Sequence, residues 1–198
     1  MKALSVNQLV SETRKALVGR GASFGVADDI AKAVQLLAHY NIVPSDEIAT
    51  LLQKPQFLAP QMPEISDANL TMAGDVGIVD VMAMLDFVIA YDVQQIIVSG
   101  LLYPRLSHGL IALSQSPHTG SFVDDTGMAI EDRLANNADH MCLHHIAFRA
   151  PKPPLWPRRV MIDEADYDLI KLAAFHSYVP SSAQSREAGA GAGLHDND

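Results

Sequence analysis

Four stretches of this chain carry side chains whose type and spacing could do chemistry. His140, Cys142 and His144 alternate along one run. On a β-strand alternate residues share a side, and a Cys/His set there is of the kind that holds zinc or iron. A straight strand spreads the three over about 13 Å, so a single ion needs a bend or a ligand from elsewhere. Ser107, His108 and Gly109 stand together, but in a helical pattern with no acid nearby. A nucleophile–base–acid set is assembled in space rather than in sequence, so His108 is read as a helix-surface histidine. Asp124 and Asp125 are adjacent. Neighbouring carboxylates diverge, and paired acid–base work needs them to converge, so the pair is read as a solvated turn.

The fourth stretch is the tail, Ser177 to Asp198. Tyr178 and Pro180 mark a turn out of the preceding helix, and Pro180 biases Val179 to extended geometry. Ser181, Ser182 and Ser185 bring hydroxyls. Arg186 brings a planar fork suited to carboxylate or phosphate. Gly189, Gly191 and Gly193 alternate with alanines, and such a backbone can turn its N–H groups into an anion-binding nest. Asp196, Asn197 and Asp198 close it. The donors make Tyr178, Ser181, Ser182, Ser185, Arg186, Gly189, Gly191, Gly193, Asp196 and Asp198 the candidate ligand-binding residues, or else an internal latch. The rival set, for a metal, is His140, Cys142 and His144.

Composition bounds the rest. The 198 residues are 48% hydrophobic and carry a formal charge of −9. That is a globular chain with material for a sizeable core. Its acidity tells against nucleic acid, which needs Lys and Arg to displace phosphate counterions, and against an anionic membrane surface. A single cysteine forbids an internal disulfide. The start lacks the apolar core of a secretion signal, and the apolar stretches are interrupted by Asp80, Asp86 and Asp92. A cytoplasmic protein is expected.

The elements that must position these groups follow from periodicity. Residues 1–54 read as a helical subdomain. Ser5 with Gln8 has capping-box spacing, Gly19 and Gly21 stop the first helix, Asn41 stops the second, and Ser45 caps a short third. Residues 55–69, with Pro55, Pro60 and Pro63, read as a surface connector. Residues 70–176 read as an α+β core. Leu70–Ala73, Val93–Val98, Ser121–Val123, His140–Phe148 and Arg158–Ile162 are its expected strands. Asp80, Pro104 and Asp163 open its helices, with Leu106, Leu110 and Leu113 as a buried stripe. Met82 and Met84 are read as core gap-fillers. Asp124, Asp125 and Gly127, then Asn136 and Asn137, read as turns, and Trp156 pins a proline-rich loop. Residues 177–198 are expected to form an ordered tail. The whole is expected to be one α+β domain, an N-terminal helical unit packed on a small mainly antiparallel or mixed sheet with additional helices.

The tail also carries a resemblance. Tyr178-Val179-Pro180, Ser182, Ser185-Arg186, Gly189 to Gly193 and Asp196-Asn197-Asp198, with Arg20-Gly21, Gly25, Ala27 and Ala31 near the start, resemble an uncharacterised family of bacterial proteins known as a domain of unknown function. That family has an acidic residue where this chain has Ala183, which tells against acid–base work there. The resemblance implies no activity and no cofactor. Three readings stay open. The first is a binding module or accessory subunit for a small anionic metabolite. The second is an assembly protein whose tail latches onto its own domain or a neighbouring subunit of a homo-oligomer. The third is a metal-dependent enzyme.

Overall fold

Local signals set most helix boundaries in the computed structural model, which describes residues 1–54, 57, 60–91, 93–114, 121–124, 140–146 and 159–177. Strand β1 (Lys2–Ser5) runs straight into helix α1 (Val6–Gly19). Ser5 caps α1 by accepting from the Gln8 backbone N–H at 3.1 Å. The expected box is half made, because Gln8 Nε2 donates instead to the Tyr167 hydroxyl, 3.1 Å away. Helix α2 (Phe24–His39) ends at Asn41, whose φ of 62° terminates it in the left-handed region. Helix α3 (Ser45–Gln53) follows. Its N-cap is Pro44 and not Ser45. Ser45 lies one residue inside and donates its hydroxyl to Asp166 Oδ2 at 2.6 Å, a cross-link that competes with capping.

Residues expected as a connector contain strand β2 (Glu64–Ser66), which pairs with β3 (Asn69–Met72) in an antiparallel hairpin. Asp67 and Ala68 turn it with positive φ at both positions, the geometry of a two-residue hairpin. Helix α4 (Ile78–Ala90), β4 (Gln95–Ser99) and α5 (Pro104–Ser114) follow. Asp80 does not open α4 but sits in its first turn. Its Oδ2 accepts from Gly77 N–H at 2.7 Å and its Oδ1 from Gln61 N–H at 2.7 Å, which ties the proline-rich stretch to the helix start. Strands β5 (Ser121–Asp124), β6 (His140–Ile146) and β7 (Arg159–Ile162) and helix α6 (Glu164–Phe175) complete the described elements. Asp163 caps α6, accepting from Ala165 N–H at 2.9 Å.

The larger sheet has the order β2-β3-β4-β6-β5. β3 and β4 are parallel and joined through α4; every other pairing is antiparallel. The sheet is mixed and the class α+β, as expected. Register aligns Leu70 with Ile96 and Ile96 with Leu143, then Met72 with Val98 and Val98 with Met141. All six are buried. Alternation puts Thr71, Ile97 and Cys142 on the other face, where they are more accessible.

The helical unit is not closed by its own members. α1 packs on α2 and α6, α3 packs on α6, and α2 packs on α5. β1 pairs antiparallel with β7 in a separate two-stranded ribbon, Leu4 opposite Val160. α6 is buried along one face (Tyr167, Ile170, Ala173 and Ala174), whereas Leu172 is exposed. α2 and α5 meet at Gly109. A Cβ there would stand 3.0 Å from Leu37 Cδ1 and 3.4 Å from Ala33 Cβ. Leu37 is fully buried and has little room to give. Helix propensity favours alanine by about 1 kcal/mol, but overpacking costs about 1–3 kcal/mol. Gly109→Ala is therefore expected to lower the melting temperature in a calorimetric scan. An increase would show that the helices separate freely here.

Candidate functional site

A cleft of about 470 Å³ opens between α2, α4 and α5. Its volume lies within the range of small-molecule sites, roughly 300–1,000 Å³. Leu85 and Leu110 form the floor, both buried, and Met82 and Leu113 the walls. Leu113 is 39% exposed, so the helical stripe expected to be buried ends by facing this opening. Met82 likewise lines the cleft, while Met84 is fully buried in the core as expected. A flexible thioether on a cleft wall adapts its shape to what it touches.

The rim is charged. Asp29 and Lys32 come from α2 and Asp86 from α4. Lys32 Nζ lies 2.8 Å from Asp28 Oδ2 and 3.7 Å from Asp29 Oδ1. Arg14 Nη2 reaches Asp28 Oδ1 at 3.1 Å. The hydrogen bond that Lys32 donates to Asp28, then the Asp28 charge, raises the Lys32 pKa above the usual lysine value. The same hydrogen bond from Lys32 lowers the Asp28 pKa, against a smaller opposing effect of burial. Lys32 is thus a fixed cation already engaged by carboxylates. Among the described residues, no hydrogen bond or ion pair engages Asp86.

A second constellation joins α3 to the start of α5. Pro104 occupies the first turn of α5, as expected. Glu47, buried on α3, supplies the cap from 58 residues away. Its Oε1 accepts from Arg105 N–H and from Arg105 Nε, each at 3.0 Å, and its Oε2 from Leu106 N–H at 2.9 Å. Asp46 binds the same guanidinium. Burial opposes the Arg105 charge, but the hydrogen bonds to Asp46 and Glu47 and their charges outweigh it and raise its pKa. Burial, then the Glu47 charge, raises the pKa of the Tyr103 hydroxyl. An anion already stands where the helix dipole is positive, so this terminus serves the fold itself. A small recess of about 280 Å³ lies beside it, edged by Thr50 and Leu102.

The residues singled out in the sequence divide unevenly. His108 and Ser107 are inside α5 as expected, but His108 is buried at 2% exposure and not on the surface. The next residue, Gly109, is where α2 comes close. Ser107 Oγ donates to the Tyr103 carbonyl at 2.7 Å. His140, Cys142 and His144 do lie at alternate positions of β6, opposite Ser99, Ile97 and Gln95 of β4. Gln95 Nε2 donates to Cys142 Sγ at 3.2 Å. Among the described residues no three His, Cys, Asp or Glu side chains come together as a metal set. Asp124 ends β5. Asp125, Gly127, Asn136, Asn137 and Trp156 lie outside the described residues, as does the whole tail from Tyr178 to Asp198 with Arg186. No described helix is long and apolar enough to cross a membrane.

Residues 4–77 match the model of a family described as a protein of unknown function (DUF3726). The N-terminal part of the chain is therefore similar to a family without an assigned activity, as the sequence indicates. The match ends at the N-cap of α4 and so takes in the α2 side of the cleft but not α4 or α5. No curated protein and no solved structure matches the chain.

Proposed function

We propose that this protein is a binding module for a small amphiphilic molecule, taken into the cleft between α2, α4 and α5. The observation that carries the reading is the pairing of an apolar interior (Leu85, Leu110, Met82) with a charged edge. Buried apolar contact supplies affinity in such a site, and a few polar groups at the edge fix orientation. The described lining offers apolar contact and charge. An anion-binding role for the tail donors, Arg186 foremost, stays a separate proposal that the cleft neither needs nor opposes.

The test is a titration with 1-octanol, followed by NMR at the Met82, Leu85, Leu110 and Leu113 methyl groups. These methyls are expected to shift together and saturate. Leu113→Trp, a change at a partly exposed position, is expected to fill the cleft and abolish the shifts while circular dichroism stays unchanged. Shifts scattered over the molecule, or none, would reject the cleft as a binding site.

A further inference from the structure

We infer that the cleft selects organic cations, that is, amphiphiles whose apolar body ends in a protonated amine. The inference rests on the binding reading above and adds to it the class of ligand. Among the described residues the lining carries two carboxylates, Asp29 and Asp86, against the one ammonium of Lys32. That ammonium is spoken for by Asp28 at 2.8 Å. An incoming carboxylate would meet Asp86 and Asp29 and find Lys32 already paired. An incoming ammonium meets Asp86, which holds no partner among the described residues, at the mouth of an apolar well. The surrounding surface reinforces the sign, since the chain carries a net −9 and a negative field concentrates cations near it. Geometry sets the size of the body. Leu110 and Leu85 are buried in the lining and meet the apolar body, and an opening of about 470 Å³ has room for an alkyl chain or a ring.

The probes are octylamine, 1-octanol and octanoate, which share one body and differ in charge. Affinities are measured by calorimetry below the concentrations at which the probes aggregate. Octylamine is expected to bind about tenfold more tightly than 1-octanol, the increment of one charge-assisted contact, and octanoate more weakly than either. The double variant Asp29→Asn/Asp86→Asn is expected to remove the amine preference and leave 1-octanol affinity unchanged. Both positions are at the surface, so the fold is expected to survive. Octanoate equal to or tighter than octylamine overturns the inference. So does an amine preference that persists in the double variant, or 1-octanol binding as tightly as the amine. In each of those cases, binding that Leu113→Trp still blocks leaves the cleft itself established. Failure of all three probes to bind instead removes the binding reading and the ligand class with it.

Discussion

Glu47→Ala is expected to destabilise the protein by about 3 kcal/mol, at the low end of the loss for breaking a buried ion pair. The change removes three hydrogen bonds at once, two from the α5 backbone and one from Arg105 Nε. It leaves two N–H donors without an acceptor at a partly buried helix start and strips one counterion from Arg105, which keeps Asp46. That remaining partner is why the loss falls at the low end. For a chain of this length about 3 kcal/mol corresponds to a fall of roughly 6–12 °C in melting temperature. Glu47→Gln keeps an acceptor for the backbone but not the charge, and is expected to lose about half as much. Urea titration checks both, read as a lower midpoint at constant slope. If Glu47→Ala moved stability by less than about 0.5 kcal/mol, typical of a plain surface change, the carboxylate would not be what anchors α5.

Gly100→Ala is expected to be at least as damaging, with a loss above about 3 kcal/mol, the tail of single-substitution effects. Two causes add. Gly100 has φ +83°, where a side chain is strained by about 1–2 kcal/mol. A Cβ would also stand 1.8 Å from the Gly74 carbonyl oxygen, which is backbone and cannot swing away. The two glycines lie at the ends of the parallel strands β4 and β3. The Val76 N–H donates to both of their carbonyls at 2.9 Å, and Leu102 N–H donates back to Val76 O at 3.0 Å. Moving Gly100 therefore unfastens the loops that launch α4 and α5, the two walls of the cleft. Gly21→Ala separates the causes. Gly21 has φ +95° with open space around it, so its replacement is expected to cost about 1 kcal/mol from backbone strain alone. Equal losses in the two variants would mean that the contact with Gly74 is soft.

What could be read in the sequence was local. Ser5, Asn41, Pro104 and Asp163 announced helix ends because a cap is chemistry within one turn. The alternation of Met141 and Leu143 with Cys142 announced β6 because a strand has a period of two. The misses are long-range. Ser45 looked like a cap and is instead a bridge to Asp166, 121 residues on. Glu47 stands in the first turn of α3 with no local partner to single it out, and its partners lie on α5. His108 is buried on the helix where α2 comes close at Gly109, and such a long-range contact is not encoded in α5's own periodicity. β1 and β2 are short, and their identity rests on the partner strand rather than on pattern. The cleft was missed for a related reason. Met82 and Leu113 fit a core stripe, and whether a stripe residue meets a neighbour or an opening is decided by how three helices splay. A signal was nonetheless present. Asp86 interrupts the most apolar helix of the chain, and a carboxylate beside Leu85 and Met82 marks where that helix meets solvent.

The ribbon of β1 with β7 also fixes an order of events during synthesis. β1 and α1 leave the ribosome about 157 residues before β7 and α6, a delay of roughly 8–30 s at ordinary elongation rates. Through that interval Leu4 waits for Val160, and the buried faces of α1 and α3 wait for α6. A nascent chain halted at Gly77 holds the whole segment that matches the family and still lacks the elements that cover it. That segment is the part similar to the family, and the elements that cover it lie beyond it. Newly made chains are accordingly expected to keep apolar faces of α1 and α3 uncovered until α6 arrives.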